Sequence, residues 1–283
     1  PRDGFQFEHI PIPTEVKIDI IRGLVAAGLR RIQITSFVHP KRVPQMADAE
    51  SLVAALPMES GVVFSGLCLN MRGLQRAYDS GLEYVDLSIA TNERHGKDNV
   101  AMSVEEGVVE ASAMLDEANR LGLQAQLGLQ TVFGYETPGD TRLDEVVQLC
   151  ERFVEMGIES LSLADTTGMA NPKMIKECIS AVQEVSGSTP LVLHLHDTRG
   201  LGLANIMAAW QLGVSRFDTS LGGLGGCPFI AGATGNVATE DVAHLFNEMG
   251  VNTGIRVSDV AECSRKIASL LGRELSGKMY RLA

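Results

Sequence analysis

Short apolar or β-branched runs alternate along the chain with longer stretches whose apolar residues recur every three or four positions. The runs are RIQITSF (31–37), VVFSGLCLN (62–70), YVDLSIA (84–90), QAQLGLQTVF (124–133), SLSLADTTG (160–168), LVLHLHDT (191–198) and RFDTSL (216–221). Each reads as a strand. Between them the pattern predicts helices such as Glu15–Gly28, Ser103–Leu121, Leu143–Gly157 and Gly202–Gly213. Several close on AGL, SGL, MGI or LGV, a glycine just past the helix followed by re-entry into a strand. Alternation at this density predicts βαβ units on a parallel sheet. Roughly 30 residues per unit is the economy of an α/β fold of the (β/α)8 TIM-barrel type. One domain over residues 1–283 is expected, because no low-complexity linker or composition break interrupts the pattern. PRDG sits where the loop after a first strand belongs, so that strand is expected to be missing or truncated here; an unclosed barrel has two bare edges.

In such barrels chemistry collects at the C-terminal ends of the strands. The predicted strand ends carry Thr35 and Ser36, Asn70, Thr91 and Asn92, Gln130, Asp165 and Thr166, His194 and His196, and Ser220, almost all preceded by apolar residues. His194-Leu195-His196 is the sharpest feature. Side chains two apart on a strand share a face, so both imidazoles point into the barrel if Leu195 faces the helices. Together they make a metal site or, alternatively, two satisfied polar residues at a strand end. Asp3 is the expected third ligand, since the loop after a first strand lies beside the last strands once a barrel closes. Arg2 next to it is suited to an oxyanion. A surface turn pair is the plainer account of Arg2–Asp3.

The run LGGLGGCPFIAGATGN (221–236) has six glycines in sixteen residues and a central cysteine. It is expected to be a mobile loop that closes over a substrate, with Cys227 as acid/base or nucleophile rather than a structural thiol. Asn236 is a candidate amide-oxygen ligand, or else the cap of the helix that follows. Asp3, His194, His196 and Asn236 would offer mixed oxygen and nitrogen ligation without thiolate, which favours Mg2+ or Mn2+ over Zn2+.

Bulk properties narrow the alternatives. The chain has 283 residues, 45% hydrophobic and 21% charged, with a formal net charge of −11. That acidity argues against a general nucleic-acid binder, and no apolar run reaches membrane-spanning length. Five cysteines without a C-x-x-C pair point to a reducing compartment, and a cytoplasmic location is expected.

The motifs PRDGFQ, TSFVHPKRVPQMAD, SLADTTGM, HLHDTRG, GLGGCPFIAGATGNVATED and GVNTG together resemble the 3-hydroxy-3-methylglutaryl-CoA lyase family, metal-dependent TIM-barrel acyl-CoA lyases, over nearly the whole chain. The resemblance implies retro-aldol cleavage of a branched 3-hydroxyacyl-CoA, giving acetyl-CoA and a keto acid. It implies that Arg2 neutralises the enolate oxygen and Cys227 protonates the carbon. It adds polar residues around the site, with Asp165 and Gln33 as expected catalytic groups and Gln6, Ser36, Thr166 and Glu240 as expected substrate contacts, and it implies a homodimer or higher oligomer. One position departs from the pattern: the family carries a glutamate where this chain has Gln33. An amide cannot take a proton or carry charge. Because the ligands and Cys227 remain, the expectation is a related substrate, such as citramalyl-CoA, rather than decayed chemistry. Rival expectations are a Claisen-type synthase, a class II aldolase and a non-catalytic acyl-CoA-binding relative. Lys41, Arg42, Arg94 and Lys97 are candidates for the CoA nucleotide on charge alone. Leu69, Ile89, Leu129 and Val132 are candidate pocket walls.

Overall fold

The computed structural model of the chain describes residues 1–57, 61–226 and 235–283. Seven strands, β1 (Arg31–Ser36), β2 (Val63–Cys68), β3 (Tyr84–Ala90), β4 (Gln124–Gln130), β5 (Ser160–Asp165), β6 (Leu191–Leu195) and β7 (Arg216–Asp218), pair in chain order, every neighbouring pair parallel. Each predicted run contains one of these strands, and where the two differ the strand ends earlier, as the chain turns into its rim loop. Helices Thr14–Ala26, Ala49–Ala54, Met71–Asp79, Val104–Leu121, Leu143–Glu155, Pro172–Ser186 and Gly202–Trp210 alternate with the strands, and Thr239–Glu248 and Val257–Leu271 follow. Gly28, Gly81, Gly157 and Gly213 all take positive φ, between 81° and 110°. They turn the chain from helix to strand in a conformation that a Cβ disfavours.

The sheet curls on itself, because one cavity is lined by Gln33, Leu67, Asp86, Gln126, Ser162, His194 and Asp218, a residue from each of the seven strands. The period of two explains the layering. Ile32 and Ile34 of β1, Val85 and Leu87 of β3, Leu127 and Leu129 of β4, Leu161 and Leu163 of β5, and Leu193 and Leu195 of β6 are buried in the hydrophobic core. Their alternates line the cavity, and many are polar or small. β1 and β7 do not pair, and a slot of about 500 Å3 between them is lined from β1 by Gln33 and from β7 by Phe217 and Asp218. The eighth strand position of the ring therefore holds no strand among the described residues, as the count of seven predicted. PRDG is not a loop: Arg2–Gln6 is a short helix anchored by the fully buried Phe5. Among the described residues no helix is long and apolar enough to cross a membrane.

Candidate active site

Asp3, His194 and His196 reach the site from elements far apart in the chain, the first helix and β6. The N-terminal helix turns Asp3 inward, while β6 presents His194 and, just past its end, His196. Leu195 is fully buried in the core, so the alternation puts both imidazoles on the cavity side. Their Nε2 atoms stand 3.2 Å apart. One carboxylate oxygen of Asp3 and one nitrogen from each histidine lie within 4.8 Å of one another. Asp3 Oδ1 accepts from Arg2 Nη1 at 2.8 Å and Gln6 Nε2 at 3.0 Å, and Oδ2 accepts from Asn236 Nδ2 at 2.7 Å. Burial alone would raise its pKa, but Arg2, both histidines and the Asn236 hydrogen bond bring it down to about 2.

The two histidines differ. Burial and the neighbouring His194 charge lower His196 to about 4, leaving it neutral and ready to donate a lone pair. Burial also works against charge on His194. Asp218, 3.6 Å from its Nδ1, together with Asp3, outweighs that and holds it above its ordinary value. A carboxylate behind a ligating imidazole fixes its tautomer and strengthens it as a ligand. Asp218 was missed in the sequence, although it sits at a predicted strand end in RFDTSL.

The donor set fits a divalent cation. The ligand-capable atoms converge, and Asn236 leaves its Oδ1 buried without a hydrogen-bond partner among the described residues. Its Nδ2 is engaged by Asp3 and by the Leu224 carbonyl at 3.0 Å. An unpaired buried oxygen beside a carboxylate and two imidazoles is a donor with a vacant use.

Arg2, Asp3, Gln6, Gln33, Thr166, His194 and His196 all line a cavity of about 600 Å3. Gln33 Oε1 accepts from Arg2 Nε. Three expected site residues, Asp165 as a catalytic group and Ser36 and Glu240 as substrate contacts, do not reach the cavity. Ser36 lies beyond a register shift in β1 between Gln33 and Thr35, and is fully buried. Asp165 is turned back to accept from the backbone N–H groups of Met169 and Ala170 at 2.8 and 3.1 Å, and burial raises it to about 6. Glu240, in the first turn of Thr239–Glu248, accepts from Gly222 N–H with both oxygens. These two carboxylates secure rim loops. Cys227 lies outside the described residues; the other four cysteines are free and buried.

Of the expected pocket walls, Leu69 lines the cavity, while Ile89, Leu129 and Val132 pack in the hydrophobic core. On β3 and β4 the cavity face is instead Asp86, Ser88, Gln126, Gly128 and Gln130, a one-residue difference in parity. Of the basic candidates Arg42 lines the cavity; Arg94 pairs with Glu136 and Lys97 with Glu93, and Lys41 is exposed.

A curled parallel barrel whose rim gathers a carboxylate, two imidazoles and a guanidinium is the frame of a metal-dependent carbon–carbon lyase. The HMGL-like family model matches residues 1–267. Hydroxymethylglutaryl-CoA lyase YngG of Bacillus subtilis is 36% identical over 98% of this chain and 93% of its own. The (R)-citramalyl-CoA lyase of Chloroflexus aurantiacus is 37% identical over 97% and 90%. The solved structure of an HMG-CoA lyase from Acinetobacter baumannii, in complex with coenzyme A and 3-methylmalate, superposes with a TM-score of 0.93 at 35% identity, over 99% of this chain and 92% of that one. The chain belongs to the HMGL-like family.

Proposed function

We propose that this protein cleaves a branched 3-hydroxyacyl-CoA such as 3-hydroxy-3-methylglutaryl-CoA by a retro-aldol reaction, giving acetyl-CoA and a keto acid. The observation that carries the reading is the convergence of Asp3, His194 and His196 beside Arg2 at the wall of a deep cavity. Asp3, His194, His196 and the Asn236 oxygen would hold Mg2+ or Mn2+, which suit oxygen-rich, thiolate-free sites. Such a cation supplies Lewis acidity toward the substrate's hydroxyl and carbonyl oxygens.

The chain's own groups do the rest. As the hydroxyl proton passes to solvent, its oxygen becomes the keto acid's carbonyl, the C–C bond breaks and its electron pair passes to the acyl-CoA fragment as an enolate. Arg2, held by Asp3 and Gln33, faces that developing negative charge with a fixed positive one, which needs no reorganisation during the reaction. Cys227 is the proton donor in this reading, returning hydrogen to the enolate carbon. Gln6 and Thr166, both on the cavity surface, would be the substrate-contacting polar residues, and Arg42, which is exposed and also lines the cavity, would meet the CoA phosphates.

A second reading is cleavage of citramalyl-CoA. It is favoured by the (R)-citramalyl-CoA lyase among the relatives and by the neutral Gln33. The deciding assay compares the two thioesters with Mg2+ or Mn2+ present, before and after chelation. Metal-dependent release of acetyl-CoA, abolished by EDTA, is expected, and the faster thioester identifies the acyl group. Binding of both thioesters without metal-dependent turnover would overturn the reading.

A further inference from the structure

Behind Gln33 lies a carboxylate that the reaction scheme above does not use. Asp86 sits on the inward side of β3, almost fully buried, and lines the cavity. Its Oδ2 accepts from Gln33 Nε2 at 2.6 Å and from Ser65 Oγ at 2.5 Å, while Arg31 Nη2 stands 3.7 Å from Oδ1. Burial pushes its pKa up, opposed by Arg31, Ser65 and Gln33. Three adjacent strands thus converge on one acid: Gln33 from β1, Ser65 from β2 and Asp86 from β3. Gln33 passes the contact on, since its Oε1 accepts from Arg2 Nε and Arg2 donates in turn to Asp3.

The chain Asp86–Gln33–Arg2–Asp3 has only one sensible polarity. A carboxylate accepts and a guanidinium donates, so the amide between them must turn its NH2 to Asp86 and its oxygen to Arg2. Turned over, it would oppose donor to donor at Arg2 and acceptor to acceptor at Asp86. Without Asp86, only the Arg2 Nε–H contact holds the amide in this orientation, and the second, opposed anchor is gone.

We propose that Asp86 is a positioning residue for the lyase reaction, locking the Gln33 amide so that its oxygen holds Arg2 in its working orientation. The proposal rests on the function argued above. It assigns the Gln33–Asp86 pair as a unit, with the amide in contact with Arg2 and the charge one residue further away.

Exchanging the two groups separates this role from mere support of the barrel. Asp86→Asn keeps the shape but can turn either an oxygen or an NH2 to Gln33, so the amide no longer has one enforced orientation; it is expected to lower kcat about 10- to 100-fold, with KM changed less than about threefold. Gln33→Glu sets two carboxylates against each other at 2.6 Å and is expected to lose as much. The double exchange, Gln33→Glu with Asp86→Asn, restores one acid and one amide in reversed order. It is expected to return to within about threefold of native, because the interaction between coupled neighbours is not additive. The Arg2 Nε–H signal in 15N NMR reads the same geometry without turnover: slow solvent exchange is expected in the native protein and the double variant, fast exchange in each single variant. A native protein with a protected Arg2 signal but no activity on any 3-hydroxyacyl-CoA would sink the functional reading while leaving the positioning intact. Native kcat and an unchanged Arg2 signal in Asp86→Asn, or losses that simply add in the double variant, would overturn the assignment of Asp86.

Discussion

Glu240 is fully buried, with both carboxylate oxygens on the Gly222 N–H, and burial pushes it up to about 7. In the unfolded chain it returns to its ordinary value near 4.5. Between about pH 4.5 and 7 the native state therefore binds a proton that the unfolded chain has released. By linkage, its contribution to stability is greatest below that window and falls as pH rises through it, by about 3 kcal/mol at most. Glu240→Gln carries no charge at any pH and still offers Gly222 an acceptor. In calorimetry without metal, the melting temperature of the native protein should fall more steeply than that of the variant across this window. Parallel curves would mean that Glu240 is ionised throughout. Asp165, raised to about 6, titrates in the same range in both proteins, so the difference isolates Glu240.

At the scale of elements, the site depends on a helix of five residues, Arg2–Gln6, too short to be stable alone. Phe5 buries it, and Gly4 lets it approach the chain after β7. A Cβ at Gly4 would stand 2.5 Å from Ser220 Oγ and 2.9 Å from Leu224 Cβ. Alanine gains about 1 kcal/mol over glycine in helix propensity. Overpacking a tight contact costs about 1–3 kcal/mol, and here it prevails. Gly4→Ala is expected to lower the urea midpoint and, because Asp3 is next in the helix, to weaken Mn2+ binding about tenfold or more. Undiminished Mn2+ affinity in a titration would show that the helix can shift without moving Asp3.

At the scale of the whole molecule, the candidate ligands come from residues 3, 194, 196 and 236, so one cation would tie the first helix to β6 and to the chain beyond β7. A ligand that binds only the folded chain stabilises it by about 2.7 kcal/mol at a hundredfold excess over its Kd. For a protein of this size that corresponds to a rise of about 5 °C in melting temperature. Mn2+ is expected to produce such a rise in the native protein, and EDTA to reverse it. Asp3→Asn should abolish it, and an equal rise in that variant would place the cation elsewhere.

Much of this architecture is local, and local features are legible along the chain. Strand period, helix period and closing glycines depend on a few neighbouring residues, so all seven strands and the turns at Gly28, Gly81, Gly157 and Gly213 could be anticipated. The facing of His194 and His196 follows from the same period of two. What neighbours what across the sheet is another matter, because hydrogen bonding between distant strands sets register and parity. A register shift in β1 goes with the burial of Ser36, and parity on β3 and β4 turns Ile89 and Leu129 outward and Asp86 inward. Asp165 and Glu240 fall beneath the rim because backbone N–H groups of the loops need acceptors where water cannot reach. Asp86 and Gln33 are 53 positions apart and meet only because β1, β2 and β3 lie side by side. An aspartate within YVDLSIA is merely a polar residue in a strand until the barrel curls and brings it to Gln33.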